Sequence, residues 1–139
     1  MPFDGNPPPP LPANLGLEAP LVDVVRATRT RISNPAHWRR GGIGHEAGPV
    51  CLMGAYYLAI YGALSTEPLA QVPSQLHERA YLAFRDNLVY RGDNVYRTYG
   101  SIPTFNDLST HSVVIQCLDE TLERLEAIRE VQPLMVVGS

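Results

Sequence analysis

The sequence predicts a mainly α fold: a single-domain bundle of about four helices around a central apolar helix. Three observations lead there. Cys51–Leu64, CLMGAYYLAIYGAL, carries no charge and is apolar or small on every face of a helical wheel, the pattern of a helix buried all round. Segments near residues 21–32 and 109–131 place apolar side chains at helical spacing on one face. Breakers stand where such helices would stop, at Asn34-Pro35, Arg91-Gly92-Asp93-Asn94 and Pro133.

The central segment is a core helix rather than a membrane span. At ~1.5 Å rise per residue it covers roughly 21 Å, against a hydrocarbon core of about 30 Å. Gly54, Ala55, Ala59, Gly62 and Ala63 give it small patches where neighbours can approach. A glycine inside a helix costs roughly 1 kcal/mol relative to alanine, and close packing is the natural compensation.

Bulk composition narrows the function. A chain of 139 residues is one domain, and a net charge of −3 gives no global attraction to nucleic acid or an anionic membrane. Two cysteines are too few for a disulfide-stapled scaffold. The opening MPFDGNPPPPLP has neither the basic region nor the apolar run of a secretory signal, so a cytoplasmic location is expected. All eleven cations are arginine. The missing lysine removes Schiff-base chemistry, a P-loop and a Ser–Lys dyad, and no cofactor is expected.

Residues 1–16 read as a proline-rich tail, and residues 17–139 as a single helical domain. Pro7–Pro10 and Pro12 favour polyproline II, a disordered leader or a strap across the surface in preference to an SH3-type ligand. The first helix is expected from Leu17 or Pro20 to Ser33, with Leu21, Val24, Val25, Thr28 and Ile32 inward. Arg26, Arg29 and Arg31 are left for solvent or a partner. Residues 35–50 form a loop, and functional residues concentrate on loops held by a rigid scaffold. A third helix is predicted from a Ser74 cap to Tyr90. Val95–Phe105 looks extended but is broken by Gly100 and Pro103, which allows a short β pairing near residues 95–105. The last helix should span Ser109–Val131, with Val114, Cys117, Leu118, Thr121, Leu122, Leu125 and Ile128 opposite Asp119, Glu120, Glu123 and Glu126. Pro133 ends it, leaving Leu134–Val137 as an apolar tail over the core.

Several residues carry chemistry. Cys51 opens the central helix, where unpaired N–H groups and the macrodipole favour a thiolate. With His111 or His45 as base and Asp107 or Asn106 as orienter it would make a Cys–His–Asn/Asp site, Cys51, His111 and Asp107 being the catalytic candidates. The competing reading is a buried structural thiol beside an apolar run. Asn106–His111 combines helix-capping residues with one imidazole, and Asp107 and His111 could meet on one face. Trp38, Arg39, Arg40, His45 and Asn106 are the binding candidates. His37, His45, His111 and Cys51 could suit zinc, but none has the spacing of a metal motif, and no metal site is expected. Five arginines against Asp23 and Glu46 in residues 21–47 could hold phosphates beside Trp38. The acid-rich last helix makes a dipolar fold the simpler account, its basic and acidic helices attracting one another or a second copy.

Trp38-Arg39-Arg40-Gly41, Cys51-Leu52-Met53-Gly54-Ala55, and Phe105-Asn106-Asp107 followed by Thr110-His111 resemble a family of small bacterial and phage proteins, many actinobacterial, known only as a domain of unknown function. The likeness covers roughly residues 20–128. It implies that Trp38, Cys51, Asn106, Asp107 and His111 belong to one module, and implies no activity. The expected protein is a small cytoplasmic one acting through protein contacts, with a partner or as a homo-oligomer, and without a membrane or nucleic-acid role. The alternative is a cysteine-dependent hydrolase or transferase using Cys51 and His111.

Overall fold

The computed structural model describes residues 7–137, with side chains described through Ile128. Residues 1–6 of the proline-rich segment and the apolar side chains of Leu134–Val137 lie outside the described residues. The chain is mainly helical: α1 (Leu21–Arg31), α2 (Leu52–Tyr61), α3 (Ser74–Asn87), α4 (Val95–Tyr99), α5 (Ile102–Leu108) and α6 (His111–Val137). One antiparallel ribbon, β1 (Val89–Tyr90) and β2 (Asp93–Asn94), pairs Val89 with Asn94 and Tyr90 with Asp93. No helix among the described residues is long and apolar enough to cross a membrane.

Helix α2 is the hub. Every position in it is buried except Met53 and Tyr57. It packs on α1 and α5, and the Tyr56 ring meets Phe84 of α3 with centroids 4.5 Å apart. Gly54 is needed for close approach: a Cβ there would stand 2.7 Å from the Ile43 carbonyl oxygen, which presses onto this helix. Gly62, left-handed at φ 70°, ends it. The proline-rich segment then folds back as a strap. Asn14, Leu15 and Gly16 donate their N–H groups to the carbonyls of Leu58, Ala59 and Ile60; the last two are acceptors that the helix end leaves unmet, while Leu58 also accepts from Gly62 N–H.

Residues 95–108 depart from the expected extended segment. They form two short helices, and the β pairing sits earlier, at the Arg91-Gly92 turn. Local capping decides this. Asn94 Oδ1 accepts from Arg97 N–H at 2.8 Å, and Ser101 Oγ accepts from Thr104 N–H at 3.1 Å. Pro103 falls in the first turn of α5, where its missing N–H costs nothing. Val95, Ile102 and Phe105 are buried, and that burial offsets their modest helix propensity. The described residues therefore form six α-helices rather than about four.

The other boundaries shift by small amounts. Helix α1 ends at Arg31, and α3 ends at Asn87 because Val89 and Tyr90 enter the ribbon. Pro73, not Ser74, is the residue before α3. Helix α6 starts after Thr110, whose Oγ1 accepts from Val113 N–H at 3.3 Å, and it continues past Pro133 to Val137. It lies on α1 and β1. Arg26 pairs with Glu126 at 2.7 Å and Arg29 with Asp119 at 2.5 Å, so basic α1 and acidic α6 attract within one chain. These pairs are partly exposed and each contributes about 1 kcal/mol or less.

Leu58 is 1% exposed at the centre of this packing. Leu58→Ala should destabilise the fold by about 2–5 kcal/mol in urea unfolding. An unchanged midpoint would remove α2 from the centre of the core.

Candidate functional site

Asn106, on the last turn of α5, is fully buried and uses its whole amide. Its Oδ1 accepts from Trp38 Nε1–H at 2.7 Å and from Leu52 N–H at 3.0 Å. Its Nδ2 donates to the Arg39 carbonyl at 3.0 Å and to Asp107 Oδ1 at 3.2 Å. One side chain thus joins the 35–50 loop, the start of α2 and α5. Trp38 is delivered by a local pairing: Val50 N–H donates to the His37 carbonyl, and Arg39 N–H donates to the Val50 carbonyl.

Around Trp38 the polar residues close in. The Arg40 guanidinium stands 5.6 Å from the indole centroid and donates through Nε, at 2.7 Å, and Nη2 to the Ser109 carbonyl. The His111 ring lies 5.7 Å from the indole, and its Nε2–H donates to the Ile32 carbonyl at 2.6 Å. Trp38, Arg40, Asn106, Asp107 and His111 therefore form one cluster. Arg39 joins through its backbone, while its side chain is exposed. His45 does not join; it is exposed on the same loop. His37 is buried and bonds the Pro7 carbonyl at 2.8 Å. Among the described residues no three His, Cys, Asp or Glu side chains converge as metal ligands would.

Cys51 caps α2. Its Sγ accepts from Gly54 N–H at 3.4 Å, and it is 6% exposed. Burial pushes its thiol pKa up, and the opposing N–H groups of Gly54 and Met53 do not overcome that. No imidazole bonds the thiol among the described residues, since His111 Nε2 is committed to Ile32. Asp107 and His111 do not meet either: Asp107 is exposed, while His111 turns to α1. Asp107 Oδ1 accepts from Gly41 N–H at 2.9 Å. That bond, then the Asn106 amide and the more distant Arg40 charge, hold the Asp107 carboxyl below its ordinary value, so it stays ionised at neutral pH.

Beside this cluster opens a pocket of about 370 Å³, lined by Gly41, Gly42, Ile43, Cys51, Met53, Tyr57, Pro103 and Asp107. Met53 and Tyr57 are the two positions that α2 leaves unburied, one turn apart on one strip. The sequence reading passed over Ile43, Met53, Tyr57 and Pro103 as lining residues. The spacing of Met53 and Tyr57 was visible, but an all-round apolar helix does not reveal which strip its neighbours leave open. It also missed His77, whose ring bonds Tyr61 OH at 3.0 Å and the Leu69 carbonyl at 3.2 Å. His77 is seven residues before inward Phe84, a helical spacing that could have placed it.

A family model matches residues 17–124. The chain belongs to that family, DUF6197, a family of unknown function. The DUF6197 match contains Trp38, Cys51, Asn106, Asp107 and His111 and leaves the strap outside it. No curated protein matches the chain, and no solved structure does.

Asn106→Ala removes the shared acceptor of Trp38 and Leu52 and should cost about 2–4 kcal/mol, because lost partners leave buried polar groups bare. Trp38→Phe loses one donor and keeps most of the ring, so about 1 kcal/mol is expected. Urea unfolding followed by circular dichroism measures both. Equal losses would deny Asn106 its joining role.

Proposed function

We propose that the protein is a small non-enzymatic binding module of the cytoplasm, whose pocket beside Asp107 receives a protein partner. The observation that carries this is the open strip of α2. A helix buried everywhere else leaves Met53 and Tyr57 in a pocket with Ile43 and Pro103, bordered by an ionised carboxylate. Leu108, next to that carboxylate in sequence, is 71% exposed. Apolar walls beside one fixed anion suit a partner segment carrying Arg or Lys next to an apolar side chain, with the charge setting register and the apolar group supplying burial. Gly41 N–H and the Asn106 amide hold the carboxylate in place, so little ordering is required on binding. A second copy of the chain is one candidate partner, since its eleven cations are arginines.

Selection from a displayed random-peptide library against the full chain should enrich peptides that pair Arg or Lys with a leucine- or phenylalanine-sized residue. Asp107→Asn keeps an oxygen for Gly41 N–H and Asn106 but loses the charge, and binding should fall at least about tenfold. Enrichment without a cation, or equal binding by the variant, would reject this function.

The cysteine-dependent hydrolase or transferase remains the second reading, because Cys51 lines the same pocket. It requires a thiolate, whereas burial raises this thiol and His111 is engaged elsewhere. Thiol titration with a disulfide reagent at pH 7 separates the two. Both Cys51 and Cys117 are buried and free, so the folded binding module should react only as fast as it opens. Rapid labelling of one thiol in the folded protein would favour the enzyme.

A further inference from the structure

Arg31, the last residue of α1, carries a charge that its surroundings do not meet. It continues the inward stripe of Leu21, Val24 and Thr28 and is 3% exposed. Its Nη2 donates to the carbonyls of Glu46 at 3.1 Å and Gly48 at 2.6 Å. Among the described residues, Nε and Nη1 are buried without a hydrogen-bond partner. No carboxylate among the described residues comes within ion-pair distance of it. The nearby Glu46 turns its carboxylate to Leu64 N–H at 3.1 Å instead. Arg26 and Arg29, by contrast, both have acidic partners.

Two carbonyls and the partial negative charge of a helix end compensate a buried cation only in part. Burial lowers the Arg31 pKa, but a guanidinium keeps its proton in proteins, so the charge cannot be shed. Arg31 also forms part of the wall of a pocket of about 240 Å³, several times the ~30 Å³ share of one water. Ala27, Thr30 and Leu58 line it together with Pro10 and Pro12 of the strap. Among the described residues, the strap's backbone makes no hydrogen bond between the Pro7 carbonyl and Asn14 N–H. The strap can therefore shift without breaking a ladder.

We propose that Arg31 is the cation of an oxyanion site closed by the proline strap, taking a small carboxylate or phosphate group. With the strap displaced, the ligand's oxygens accept from Nε–H and Nη1–H, donors that are unmet and covered in this structure. The carbonyls of Glu46 and Gly48 hold Nη2 and so fix the guanidinium plane. The apolar strap excludes water from the pair, which strengthens it. This site lies on the α1 side of α2 and does not depend on the pocket beside Asp107.

The test is thermal melting of the full chain at pH 7 in sodium phosphate and in sodium acetate, each against sodium chloride at equal ionic strength. A saturable rise in Tm of at least about 2 °C is expected in one or both, and the salt that produces it identifies the ligand group. Arg31→Met should abolish the rise. If that variant does not fold, arginine Nε–H resonances of the wild-type chain give the same answer. Among eleven arginines, one resonance should move saturably with the active anion while the others stay. No rise in either salt, an equal rise in Arg31→Met, or a common drift of all arginine resonances would overturn the site.

Discussion

The fold depends on the four hydrogen bonds of one buried amide. Asn106 has two acceptor directions and two donors, and all four are used by partners from three separate stretches of chain. A buried amide is costly when half satisfied and stabilising when complete. This makes the arrangement all-or-none: the loop, the start of α2 and α5 must arrive together. The same bonds fix Asp107 beside Gly41 and hold Trp38 against Arg40 and His111. Residues with the look of catalytic machinery are thus largely occupied in holding the molecule together. What they leave open is an apolar strip beside one carboxylate.

The strap complements this clasp at the other end of α2. Helix α2 starts under Asn106 and ends under Asn14–Gly16, so unmet groups at both ends are met by distant chain. An all-round apolar helix buried at both termini has no water to complete its hydrogen bonds, and these contacts supply them. Besides the Pro7 carbonyl, which accepts from the His37 ring, the proline-rich segment makes two kinds of contact. Its C-terminal residues bond the end of α2, while Pro10 and Pro12 roof the space beside Arg31. The family match begins at residue 17, so this roof lies outside what the family model describes.

Much of the architecture was legible. The uncharged run at 51–64 identified α2 as central, and the apolar periodicities at 21–32 and 109–131 identified α1 and most of α6. Residues 95–108 were not legible from composition, because β-branched and aromatic side chains favour strands only when a partner strand is near. Here Asn94 and Ser101 supplied caps, and the core supplied burial. The grouping of Trp38, Cys51, Asn106, Asp107 and His111 was implied by the family resemblance of their motifs. The isolation of Cys51 from an imidazole was not, since sequence separation says nothing about which way a ring turns.

Sequence by itself determined the helical class, the central helix and the opposition of a basic α1 to an acidic α6. These follow from local periodicity and charge, which operate over a few residues. Only tertiary structure decided which polar groups are satisfied. Arg29 and Arg31 are two residues apart on one helix, yet one reaches Asp119 and the other is buried beside the strap with no acidic partner among the described residues. Met53 and Leu52 are neighbours, yet one lines a pocket and the other is fully enclosed. Burial is set by what packs against a residue from far along the chain, and through burial it sets whether a charge is paired, a thiol ionised or a strip left free.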